Sequence, residues 1–108
     1  MKFERTESFR ADYQRLTEKE REMFRSAVRT FIIACDHFIE TRDPSSWPAS
    51  LRLKAIVYAT GIFEIKWSFS GPDGRATWSW SNVTTDLGAQ VPAVRWRRLG
   101  GHEIFRTP

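Results

Sequence analysis

Two hydrophobic periodicities divide the chain. Between residues 24 and 39, Phe24, Ala27, Val28, Phe31, Ile32, Cys35, Phe38 and Ile39 recur every three or four residues, the spacing of one helix face. Further on, Phe63, Ile65, Trp67 and Phe69 alternate with Glu64, Lys66, Ser68 and Ser70. Ala76, Trp78 and Trp80 then alternate with Arg75, Thr77, Ser79 and Ser81. Period two marks strands with one dry face and one wet face. Gly71-Pro72-Asp73-Gly74 between these runs predicts a hairpin turn. A third alternation sets Val94 and Trp96 against Arg95 and Arg97, until Gly100-Gly101 ends the strand and permits a tight change of direction towards His102 and Glu103.

The remaining segments are arranged around these elements. Residues 2–9 suggest an edge strand leading into a short helix over residues 10–16, where Tyr13 and Leu16 follow Phe9 at helical spacing. Thr17-Glu18-Lys19-Glu20 is a capping box that starts a second helix, so the two helices form a hairpin. Asp43-Pro44 ends that helix, and Trp47 is expected to cover a core edge. Residues 51–59 fit a strand or a covering segment equally, and residues 82–92 read as a loop. The expected fold is α+β: an N-terminal helical hairpin on one face of a twisted antiparallel sheet of three to four strands. With 108 residues there is one core, hence a single domain over residues 1–108.

Charge changes this picture more than composition does. The net charge is +4, yet residues 1–43 balance nine Lys/Arg against nine Asp/Glu, while residues 44–108 hold eight against four. An excess confined to the stranded part points to a polyanionic partner there, nucleic acid being the commonest. The lone cysteine, Cys35, falls on the helical stripe, which fits a reducing, cytoplasmic setting. No apolar run reaches the length of a signal core or a membrane span, so no membrane partner is expected. Two histidines and one cysteine write no zinc spacing, and neither phosphate-loop pattern occurs, so no metal, nucleotide or other small-molecule cofactor is expected. His37 on the second helix reads as structural.

Assembled as a sheet, the strands bury Ile65, Trp67, Trp78, Trp80, Val94 and Trp96 under the helices. The other face carries Glu64, Lys66, Arg75, Thr77, Arg95 and Arg97, with His102 and Glu103 at its edge. Cations among hydroxyls, one imidazole and a carboxylate suit a phosphodiester, because the cations bind phosphate and the rest handle protons. Lys54 and Arg98 are further candidates for phosphate binding. Strict alternation would turn Arg98 inward, which calls for a bulge or a paired role.

Four pieces in this order resemble the RelE/ParE toxin superfamily, the small toxins of bacterial type II toxin-antitoxin pairs. They are F-x-x-x-x-S-F-R-x-D-Y-x-x-L over residues 3–16, F-E-I-K over residues 63–66, Arg75 opening the next strand, and L-G-G-H-E-I-F over residues 99–105. The resemblance implies a helical hairpin on a twisted antiparallel sheet, a cognate antitoxin as partner and, in the RelE and HigB-like branch, cleavage of mRNA on the ribosome without metal. In that branch strand-borne Arg or Lys residues hold the scissile phosphate, and a C-terminal His or Tyr assists proton transfer. Lys66, Arg75 and His102 occupy matching positions, whereas Phe105 stands where the family often has tyrosine. The implied reaction is attack of the RNA 2′-OH on the adjacent phosphate, giving 2′,3′-cyclic phosphate and 5′-OH ends. Lys66, Arg75 and Arg95 or Arg97 would meet the phosphorane charge, His102 would be the general acid, and Glu64 or Glu103 the base. A non-catalytic inhibitor of DNA gyrase, as in the ParE branch, and an inactive basic binding module remain the alternatives.

Overall fold

The computed structural model describes residues 1–68 and 73–108. Helix α1 (Glu7–Arg15) starts at Thr6, whose hydroxyl accepts the Phe9 N–H at 3.1 Å. Helix α2 (Glu18–Thr41) begins with the capping box in full. The Thr17 hydroxyl accepts from Glu20 N at 3.2 Å, and the Glu20 carboxylate accepts from Thr17 N at 2.8 Å. It stops at Arg42 in the left-handed conformation, two residues before Pro44. Short 3-10 turns at Pro44–Ser46 and Ala49–Leu51 lead into the sheet. His37 Nδ1 lies 2.6 Å from the Ser46 hydroxyl oxygen, which ties the helix end to the first of these turns.

The sheet has five strands: β1 (Lys2–Arg5), β2 (Lys54–Ala55), β3 (Ile62–Ser68), β4 (Asp73–Thr84) and β5 (Gln90–Gly100). Their order is β1-β5-β4-β3-β2. This corrects the expected antiparallel sheet of three to four strands, because β1 joins β5 in parallel and makes the sheet mixed. β1 has four residues and β2 two, too few for alternation to reveal. Residues 82–92 are likewise not a loop. Asn82, Val83 and Thr84 pair with Pro92, Val91 and Gln90, and only residues 85–89 turn, with Gly88 at φ 82°. Pro92 lies just before the β1 ladder begins at Ala93, at the free end of the pairing. Phe69, Ser70 and the Gly71-Pro72 half of the expected turn lie outside the described residues.

Both helices cover one face of the sheet. Phe9 from α1 and Phe24 and Phe31 from α2 meet Ile65, Trp67, Trp78, Val94 and Trp96. Phe31 stands edge-on to Trp78 at 4.9 Å and Phe24 edge-on to Trp96 at 5.4 Å, geometries that add to simple burial. Trp47 stacks on Phe31 at 5.9 Å and closes the core edge. Trp80 is only partly buried, against Phe38. Among the described residues no helix is long and apolar enough to cross a membrane.

Candidate anion-binding face of the sheet

Strand register brings the candidate residues into two rows. Lys54, Glu64, Thr77 and Arg98 are successive partners across β2, β3, β4 and β5, and Lys66, Arg75 and Gly100 form the next row. Residues 64, 66, 75 and 77 alternate with the core residues, so they lie on the face away from the helices. On β5 a bulge resets the phase. Trp78 faces Trp96 while Thr77 faces Arg98, leaving Arg97 as the extra residue. Leu99 rather than Arg98 therefore enters the core, where it is 2% exposed.

This face is not open as the sequence suggests. After Gly100-Gly101 a 3-10 turn (His102–Arg106) folds the chain back over it. The Thr77 hydroxyl donates to the Pro108 carbonyl oxygen at 2.9 Å, and Arg97 Nε donates to the same oxygen at 3.1 Å. Arg98 Nη1 donates to the Thr107 carbonyl at 3.2 Å and to its hydroxyl at 2.6 Å. The Arg75 guanidinium lies over the Phe105 ring, 4.9 Å from its centroid, and the Tyr58 hydroxyl donates to the Phe105 carbonyl. The C-terminal segment thus lies against Arg75, Arg97 and Arg98.

Glu64 is the most informative carboxylate. It is 1% exposed, and its Oε1 lies 3.1 Å from Lys54 Nζ, while neither oxygen receives a hydrogen bond of ordinary geometry among the described residues. The contact with Lys54 is therefore an ion pair to a buried carboxylate. Glu103 is placed differently. It is exposed and accepts from Gly101 N at 3.1 Å, and a Cβ at Gly100 or Gly101 would come within 2.8 Å of its carboxylate. The two glycines admit this close approach, and Glu103 serves the turn.

The arginines separate in the same way. Arg95 donates to the Ser81 hydroxyl at 3.2 Å and lies 3.5 Å from the Glu4 carboxylate, so it is engaged towards β1. Arg98 Nε donates to Asp12 Oδ2 at 2.7 Å, and its Nη2 donates to Asp12 Oδ1 at 3.2 Å. The hydrogen bond with Asp12 raises the guanidinium pKa still further. Lys66 and Arg75 stand opposite each other as cross-strand partners. The side chain of His102 lies outside the described residues; its backbone opens the 3-10 turn.

Sequence reasoning missed Asp12, Thr6 and residues 105–108. Asp12 is buried and accepts the Leu99 N–H at 2.9 Å as well as Arg98 and Arg15. With Thr6, which donates its N–H to the Trp96 carbonyl and its hydroxyl to the Arg97 carbonyl, it seals the β5 edge where β1 stops. A signal existed, since Asp12 follows Phe9 by three and shares the helix face that must be buried. Among the described residues no group of three His, Cys, Asp or Glu is placed to hold a metal ion. Compared with protein-family models, curated proteins and solved structures, the chain matches none.

Proposed function

We propose that the chain is the toxin of a type II toxin-antitoxin pair and an endoribonuclease that cleaves mRNA by internal transesterification. The observation that carries this reading is the buried Glu64 carboxylate beside Lys54, one row from Lys66 and Arg75 on the same face. Glu64 takes the proton of the 2′-OH as O2′ bonds to phosphorus. His102 returns a proton to O5′ as the P–O5′ bond breaks, leaving a 2′,3′-cyclic phosphate. Lys66, Arg75 and Arg97 stabilise the phosphorane, where fixed cations act most strongly. The residues that resemble the RelE/ParE superfamily supply the same roles.

A partner of complementary charge also has a fitting surface. A cavity of about 550 Å³ between α1, α2 and β1 has a floor of Phe3, Tyr13 and Val28 and a rim of Arg5, Arg10 and Arg29. An acidic, amphipathic antitoxin segment would match both parts.

The test is incubation of purified protein with an mRNA, with and without ribosomes, and mapping of the cut ends. Cleavage giving 5′-OH ends, retained in EDTA and reduced about 10²- to 10⁴-fold by Glu64→Gln in a folded protein, is expected. No cleavage under either condition, together with inhibition of gyrase supercoiling, would replace this reading with the non-catalytic one.

A further inference from the structure

Three oxygens from residues 107 and 108 occupy the end of the charged row. The Pro108 carbonyl oxygen is held by the Thr77 hydroxyl and Arg97 Nε, and the Thr107 carbonyl and hydroxyl oxygens by Arg98 Nη1. The donors are fixed before any ligand arrives. Thr77 is fully buried on the central strand β4, Arg97 is the bulge residue, and Arg98 is locked from behind by two bonds to Asp12. A hydroxyl and two guanidinium groups converging on oxygens 2.6–3.2 Å away form a donor set for a tetrahedral oxyanion. Donors that converge on oxygens in this way would serve the oxygens of an anion as well.

We propose that Thr77, Arg97 and Arg98 form a subsite for the non-bridging oxygens of a phosphate, filled in the resting protein by residues 105–108, which must leave the face before RNA can bind. The inference rests on the ribonuclease reading for the identity of the ligand, and it deepens that reading by adding regulation of the same face. The hinge lies in the 3-10 turn, after Ile104. Ile104, 1% exposed, stays anchored in the protein, so only the residues beyond it are released. Their hold includes Phe105 under Arg75, its carbonyl on the Tyr58 hydroxyl, and the three oxygens already described. Displacement also opens the row at Thr77, the neighbour of Glu64.

The experiment compares the full chain with a chain ending at Ile104 and with the full-length double variant Phe105→Ala/Thr107→Val, which retains the backbone. Melting temperature is recorded for each, so that the double variant decides if the shortened chain does not fold. Binding of a fluorescent single-stranded RNA carrying 2′-O-methyl groups, which cannot be cleaved, is measured beside binding of inorganic pyrophosphate. Release of the segment is expected to tighten RNA binding by about tenfold or more, the factor lost when a competent state is populated one time in ten. Arg97→Ala in the released chain is expected to remove that gain. Equal or weaker RNA binding by the folded, released variants overturns the proposal. If neither form binds RNA but pyrophosphate binds the released form and needs Arg97, the subsite and its cover stand and the ribonuclease reading fails instead.

Discussion

Removing the Asp12 carboxylate leaves the Leu99 N–H and the Nε and Nη2 of Arg98 without their acceptors inside the α1–β5 contact, where water has little access. Breaking one partner of a buried pair costs about 3–5 kcal/mol, and partial exposure of Arg98 puts Asp12→Ala at the low end, about 3 kcal/mol in urea titration. A loss below about 1 kcal/mol would mean that β5 holds its edge without α1. Cys35 gives a second test at this scale. Burial, aided by Asp36, pushes its thiol up to about 12 from 9.0. The neutral thiol is thus favoured by folding. Its contribution is complete below about pH 9 and is lost as pH rises towards 12. At pH 8 a thiol reagent is expected to label the native protein far more slowly than the denatured one, and equal rates would place Cys35 outside the core.

At the scale of elements, α2 was legible because two local signals agree, an apolar stripe from Phe24 to Ile39 and a Thr17–Glu20 box. Thr17→Ala is expected to cost about 1 kcal/mol, measurable as a fall in melting temperature. The long strands were legible too, since Ile65, Trp67 and Trp78 alternate with polar neighbours. What escaped was non-local. The partner of β1 lies at the far end of the chain, β2 is too short to carry a period, and the covering of the charged face depends on where residues 105–108 return. The bulge was half legible: Arg98 inward violates burial, but only pairing shows that Arg97 is the extra residue. Deleting residue 97 would let Arg98 follow Trp96 in regular alternation, outward, with Leu99 still inward, so it is expected to leave a folded protein, as is Arg97→Ala. An unfolded deletion variant beside a folded Arg97→Ala would show that β5 needs the bulge itself.

For the whole molecule, the excess of four positive charges in residues 44–108 governs encounter with a polyanion. RNA affinity is expected to fall with added salt, log–log slope changing by about 0.7 for each single-strand phosphate contact removed. Lys66→Ala and Arg97→Ala should each flatten the slope, while Arg25→Ala, a helix residue paired with Glu18, should not. A flattening by Arg25→Ala alone would move the RNA path to the helices. The parallel β1–β5 pairing has a consequence for how the protein is made. Thr6 bonds to Arg97 across 91 positions, so β1 finds its neighbour only after β2, β3 and β4 have been synthesised. Closure of such a long loop comes late, and refolding is expected on the millisecond-to-second scale. Phe3→Ala should then speed unfolding and leave the refolding rate almost unchanged. During synthesis the growing chain carries an unmatched β5 edge for only a moment, because the strand that covers it is already waiting.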